Sequence, residues 1–178
     1  MPAPPVTLHA LGASDLELLS NLMELYIHDL SAAFPNVTLG PDGRFGYPGL
    51  GSYLAESPAR SAFLVQAGER TAGFVLVKRG SPASDDPAVL DIAEFFVLRQ
   101  SRGQGVGRAA ASALWDQLPG TWTVRAAVRN ADAVSFWRRV VTAYAQGAAK
   151  ESDYASGGTP WKAFTFTAPA HGGGRHHG

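Results

Sequence analysis

The residues best suited to chemistry lie together between positions 91 and 108, in DIAEFFVLRQSRGQGVGR. Two acids, Asp91 and Glu94, stand on an apolar run that predicts a strand, and either could take a proton from a nucleophile. A basic segment with Arg99 and Arg102 follows, and then glycine at every second position, Gly103, Gly105 and Gly107. Glycine at such a turn permits positive φ and lets a ligand approach the bare backbone. Beyond it, Arg108 opens an alanine-rich helical pattern. The first N–H groups of a helix have no intrahelical partner, and the macrodipole puts roughly +0.5 elementary charge at that end. A strand, a glycine-lined turn and a helix N-terminus therefore predict a site for a phosphate or diphosphate.

Two common phosphate motifs do not fit. The phosphate-binding loop of nucleotide triphosphatases needs G-x-x-x-x-G-K-[ST], and the only lysines are Lys78, Lys150 and Lys162. The dinucleotide fingerprint G-x-G-x-x-G fails because its sixth position, counted from Gly103, is Arg108. The next strand-like run, residues 124–128, is followed by Arg129 and Asn130 rather than by an acid that could hold a ribose.

Arg102, Gly103, Gln104, Gly105, Val106 and Gly107 do fit R/Q-x-x-G-x-G/A, and here the chain resembles the GNAT superfamily of N-acetyltransferases. Val97 stands where that superfamily ends its fourth strand, and Asn130, Ala133 and Phe136-Trp137 resemble the N-x-x-A-x-x-F-Y pattern that opens its fourth helix. The close resemblance covers residues 91–141. It implies acetyl-CoA as co-substrate, with the diphosphate held by backbone N–H groups from Arg102 to Arg108 and with charge from Arg99, Arg102 and Arg108. Phe95, Phe96 and Val97 would pair with pantetheine, and the N–H of Val97 or a neighbour would face the oxyanion. Asn130 would hydrogen-bond the cofactor, although its type and place suit a helix N-cap equally well.

Acetyl transfer to an amine needs a base for the ammonium proton, a donor for the thioester oxygen, and a proton or charge for the departing thiolate. For the base, Glu94 is preferred over Asp91, because apolar neighbours would raise its pKa toward a useful range. The alternative for Glu94 is a satisfied ion pair, for instance with Arg125. Asp91 stays open as well, since some superfamily members place a catalytic glutamate six residues before the strand end. On a regular strand the two acids face opposite ways, and a bulge would upset that parity. The superfamily's tyrosine position holds Trp137, whose indole N–H cannot give up a proton at neutral pH. Water or Tyr144 is then the candidate acid. The acceptor site is expected from the N-terminal half, with Tyr26, His28, Asp29, Arg44, Tyr47 and Tyr53 as candidates. The leading function is an N-acetyltransferase acting on a primary amine, a small molecule rather than a protein, by direct attack in a ternary complex. A non-catalytic acyl-CoA-binding module is the alternative that Trp137 motivates.

These residues need a scaffold of strands and helices. Ser14 to Glu17 reads as a capping box, and Leu16, Leu19, Met23, Tyr26, Ile27 and Leu30 recur at helical spacing up to Pro35. Residues 36–48 are loop, and residues 49–56 suggest a short second helix. Residues 61–66 and 71–78 predict a hairpin around Gly68, and residues 89–97 a central strand. A helix over 106–118, a strand over 122–128, a helix after Asn130 and a last strand over 161–167 follow, while residues 145–154 are poorly patterned. The order is β-α-α-β-β-β-α-β-α-β-β, an α/β domain over residues 1–168 with a mixed sheet and a glycine- and histidine-rich tail over 169–178.

Bulk properties narrow the function classes. At 178 residues one domain is the natural count. Hydrophobic residues at 46% and charged ones at 17% exclude a disordered composition. Fifteen basic residues balance fifteen acidic ones, which argues against a nucleic-acid or anionic-membrane partner. The absence of cysteine excludes a disulfide framework, a thiolate metal site and a cysteinyl acyl-enzyme, and no metal site is expected. No signal peptide or membrane span is expected, so the reading is cytoplasmic. Superfamily members are often dimers, so the resemblance implies a homodimer.

Overall fold

The structure, a computed structural model, describes residues 5–170. Residues 1–4 and, of the expected glycine- and histidine-rich tail, residues 171–178 lie outside the described residues. The strands are β1 (Val6–Ala10), β2 (Arg60–Ala67), β3 (Arg70–Arg79), β4 (Leu90–Val97), β5 (Gly120–Ala127), β6 (Lys150–Ser156) and β7 (Thr159–Ala168). The helices are α1 (Leu16–Ser31), α2 (Val106–Gln117) and α3 (Ala131–Tyr144). All seven strands form one mixed sheet in the order β1-β2-β3-β4-β5-β7-β6, in which only the β4–β5 pair is parallel. The α/β architecture expected from the sequence is present.

Three expectations need correction. The second helix is a single 3-10 turn, Leu50–Tyr53, entered through Gly49 at φ 80°. The capping box is shifted: Gly12 N–H donates to the Asp15 carboxylate at 2.8 Å, and a short 3-10 turn precedes α1. The poorly patterned segment ends in an edge strand, β6, of sequence KESDYAS, whose half-buried positions, Ser152 and Tyr154, carry polar groups and so show no apolar alternation.

The sheet separates two apolar layers. On one side Val75, Val77, Trp122, Val124 and Phe166 meet α2 and α3. On the other, Phe74, Leu76 and Phe96 meet Leu19, Leu22, Met23 and Ile27 of α1. Burying each of those α1 side chains contributes about 1.5–3 kcal/mol, which holds α1 against β3 and β4.

Two features of β4 shape the region around its acids. In its ladder with β3, Leu76 pairs with Glu94 but Val77 pairs with Ile92, so Ala93 is an extra residue. The bulge flips the side-chain parity: Ile92 and Phe95 both join the α2–α3 layer, and Phe96 joins the α1 layer. The opposite-face reading of a regular strand thus fails, and Asp91 and Glu94 share the α1 side. The parallel ladder with β5 consists of Leu90↔Trp122 and Asp91↔Thr123 alone. Past that point the two strands fork.

Asp91 sits at the crotch of the fork with no exposed surface. Its carboxylate accepts two bonds from Arg125 on β5, at 2.7 Å and 2.8 Å. The third guanidinium nitrogen donates to the Tyr154 hydroxyl at 3.3 Å, and the group lies 5.8 Å from the centre of the Trp161 ring. A bidentate pair of this kind resists replacement of one member, since the other charge is left buried and alone. Arg125→Met should therefore cost about 3–5 kcal/mol in a urea titration, and adding Asp91→Leu should return part of the loss. A loss under about 1 kcal/mol would mean that water reaches the pair.

Candidate active site

The fork exposes one edge of β4. Leu98 N–H donates to Ala72 carbonyl at 2.7 Å, so the antiparallel alternation turns the Phe96 and Glu94 amides toward β3. The amides of Phe95 and Val97 then face the fork. The Val97 carbonyl also lies on that edge, where it accepts from Arg102 Nε at 2.8 Å.

Beyond β4 the chain makes a 3-10 turn, Arg99–Ser101, and then the glycine run. Gly103 and Gly105 adopt φ +74° and +79°, and a Cβ on either would meet nothing within 4 Å. Their requirement is conformational, and the space beside them is open. Gly107 is different: a Cβ there would lie 3.1 Å from the Phe136 ring of α3. This glycine lets α2 and α3 close. The first α2 bond runs from Ala109 N–H to Gly105 carbonyl at 3.0 Å, so the amides of Val106, Gly107 and Arg108 have no partner within the helix. Gln104 braces the turn by donating to Gln100 carbonyl at 2.9 Å, and Arg108 is exposed. Of the amides expected to hold the diphosphate, that of Arg102 is taken by Arg99 carbonyl at 3.2 Å, while those of Val106, Gly107 and Arg108 stand at a helix N-terminus beside the exposed Gly103 and Gly105.

Arg99 and Arg102 are both tied to Asp29 near the end of α1. Asp29 takes Arg99 Nε at 2.9 Å as well, and its pKa is lowered because the two guanidiniums outweigh partial burial. It belongs to the support of the glycine turn, one helical turn on from Tyr26.

Glu94 lies on the α1 side of β4, next to the bulge. Its two oxygens accept from Tyr26 Oη at 2.6 Å and from Tyr47 Oη at 3.0 Å. Burial raises its pKa above the ordinary glutamate value, against the two phenol bonds and the charges of Arg125 and Lys78, which lower it. Tyr26 is wedged edge-on against Phe74 and close to Phe96. Tyr53, in the 3-10 turn, is buried beside Tyr47, with the Arg60 guanidinium 5.1 Å from its ring centre. Of the acceptor candidates, Tyr26, Tyr47 and Tyr53 therefore gather at Glu94, while His28 and Arg44 are exposed. The His28 ring meets the Phe45 ring, at 6.4 Å, and Arg44 lies 3.8 Å from Glu24.

Other expected residues sit elsewhere. Asp91 is consumed by Arg125, so the ion pair considered for Glu94 belongs to Asp91 instead. Tyr144 is the last residue of α3, about 20 Å along the helix from its fork-proximal start. There it donates to Asp116 at 2.8 Å and packs on Trp115, so it cannot act at the fork. Asn130 caps α3, its side-chain oxygen accepting from Ala133 N–H at 3.2 Å. Trp137 is buried, with its ring edge-on to Phe95 at 4.8 Å. Two residues with clear roles were not anticipated, Tyr154 at the ion pair and Glu24. Glu24 accepts the N–H groups of Phe45 and Gly46 at 2.7 Å and 2.9 Å. A glycine-rich loop in need of an acceptor was the one available sign of it.

The family model described as Acetyltransferase (GNAT) family matches residues 22–141. The chain belongs to the GNAT acetyltransferase family. No curated protein matches the sequence. Among solved structures, an acetyltransferase from Thermus thermophilus superposes with a TM-score of 0.65 at 18% identity, covering 94% of this chain and 99% of that one. A spermidine N-acetyltransferase from Vibrio cholerae, in complex with CoA and spermine, gives 0.62 at 17%, covering 92% and 96%. The ribosomal-protein-S18-alanine N-acetyltransferase from Escherichia coli gives 0.59 at 14%, covering 97% and 99%. At these identities the likeness is one of fold, and the GNAT neighbours differ in acceptor.

The raised pKa of Glu94 has a thermodynamic consequence. The folded GNAT domain keeps this proton to a higher pH than the unfolded chain does. The group's contribution is therefore most favourable below the ordinary glutamate value and is lost as pH rises through the elevated one. Glu94→Gln removes that dependence. Its melting temperature relative to wild type should improve between about pH 4 and about pH 8; a constant difference would mean that Glu94 titrates normally.

Proposed function

We propose that this GNAT protein transfers acetyl from acetyl-CoA to the primary amine of a small molecule, by direct attack in a ternary complex with Glu94 as general base. The observation that carries this reading is the arrangement at the bulge. Glu94, a half-buried carboxylate with a raised pKa, lies beside a strand edge whose Phe95 and Val97 amides are free, one turn before an unpartnered helix N-terminus.

In this reading the amides of 103–108 bind the diphosphate, and Arg99, Arg102 and Arg108 add positive charge at the rim. Pantetheine extends β4 along its open edge, pairing with Phe95 and Val97 as another strand would. The acetyl carbonyl then lies at the mouth of the fork. The amine nitrogen attacks the carbonyl carbon, forming the C–N bond, while the oxygen takes up negative charge and a β4 amide donates to it. Glu94 receives the proton lost by the amine, and Tyr26 and Tyr47 hold the carboxylate in line. Collapse of the intermediate breaks the C–S bond. Trp137 offers no ionisable proton, so water protonates the thiolate. A small acceptor is favoured because three tyrosines, Tyr26, Tyr47 and Tyr53, crowd around Glu94, and the nearby Arg125 is taken up by Asp91.

Glu94→Gln should lower turnover by about 10²–10⁴-fold at neutral pH with little change in acetyl-CoA affinity. Full turnover with an unmoved pH profile would remove Glu94 from the role. Gly105→Val tests the cofactor half: the left-handed conformation costs a non-glycine residue about 1–2 kcal/mol, so calorimetry should show binding weaker by about tenfold. Unchanged affinity would contradict the site.

Trp137 supports a second reading, an acyl-CoA-binding module without catalysis. Thiol release across a panel of amines separates the two, since binding with no release against any amine would favour the module.

A further inference from the structure

Residues 34–49 join α1 to the 3-10 turn without a helix or strand of their own. Gly43, Gly46 and Gly49 take φ of 75°, 71° and 80°, a left-handed conformation that glycine adopts without strain. A cleft of about 600 Å³ runs between the loop and α1, lined in part by Leu16, Ser20, Met23 and Leu50. The loop meets the apolar layer through Val37, Phe45 and Tyr47 and leaves this cleft open beside them. Phe45 reaches the apolar layer under α1, and the polar hold comes from Glu24. Its Oε2 accepts Phe45 N–H and its Oε1 accepts Gly46 N–H, with its side chain 22% exposed. Bonds from amides to an ionised carboxylate are roughly twice as strong as neutral ones. The residue after this double clamp is Tyr47, whose hydroxyl donates to Glu94.

We infer that Glu24 is a positioning residue for Glu94: by pinning two successive amides it sets where the loop delivers the Tyr47 hydroxyl. The consequence for turnover rests on the role proposed for Glu94, whereas the coupling itself does not. Glu94 is faced by Tyr26 from α1, Tyr47 from the loop, Tyr53 from the 3-10 turn, Arg125 from β5 and Lys78 from β3. Arg44 and Asp42 are the charged groups facing Glu24. Burial raises the Glu94 pKa and the Tyr47 bond opposes it, so withdrawing the hydroxyl while the Tyr47 ring stays packed on the apolar layer moves the titration of Glu94 upward.

The test is the carboxyl ¹³C titration of Glu94, followed by NMR in the wild type, Glu24→Gln, Tyr47→Phe and the double variant. Tyr47→Phe should raise the midpoint, and Glu24→Gln should raise it by part of that amount, because an amide oxygen can replace only one of the two acceptors. In the Tyr47→Phe background Glu24→Gln should add nothing, and exchange of the Phe45 and Gly46 amides should quicken. A midpoint left at the wild-type value by Glu24→Gln, or raised equally in both backgrounds, would overturn the inference. Should Glu24→Gln fail to fold, Glu24→Asp is read the same way, since it keeps the charge but is one methylene short. Failure of Glu94 as base would appear elsewhere, as turnover surviving Glu94→Gln, and would leave these midpoints untouched.

Discussion

The divergence of β4 from β5 is the constraint on which the remaining features depend. Parallel strands joined by a helix ordinarily pair along most of their length, yet these two share only Leu90↔Trp122 and Asp91↔Thr123. Beyond that pair the strands have no ladder between them, and an edge inside a sheet is left with unpaired amides. Such an edge is normally a liability. Here the ion pair between Asp91 and Arg125 ties the strands together at the point of divergence, so the sheet opens without coming apart. The bulge at Ala93 works in the same place, turning Glu94 onto the side that carries Tyr26 and Tyr47.

Two carboxylates three residues apart thus meet opposite fates. Asp91 is wholly enclosed and its charge is spent on a guanidinium in bidentate geometry. Glu94 receives neutral donors, which steady a carboxylate without neutralising it, and burial shifts its proton affinity upward. The first environment suits a structural tie and the second a group that exchanges protons. Separation of the two roles depends on the extra residue between them, because a regular strand would have sent one acid into the α2–α3 layer.

Local features could be read from residue type and spacing. The strand, the alternating glycines and the helix start over 91–118 are local, and so is the Asn130 cap; each needs only neighbours in the chain. The three glycines could not be told apart, since φ at Gly103 and Gly105 and contact with Phe136 at Gly107 are different demands on one residue type. What depends on distant residues was hidden. Arg125 meets Asp91 across 34 positions, and Glu24 meets Phe45 across 21. Tyr144 carries the right functional group but stands at the wrong end of its helix. The edge strand β6 was obscured because its half-buried positions, Ser152 and Tyr154, carry polar groups, so burial alternates without the apolar alternation that marks a strand.

The open edge presents the Phe95 and Val97 amides, the helix N-terminus presents those of Val106, Gly107 and Arg108, and the proposed seat of the coenzyme spans both. A crystal structure with coenzyme A bound measures it directly. The expected result is diphosphate oxygens on the amides of residues 103–108 and pantetheine paired along β4, its sulfur directed toward Glu94. An empty turn with its carbonyls facing the ligand, or coenzyme seated away from the fork, would contradict it.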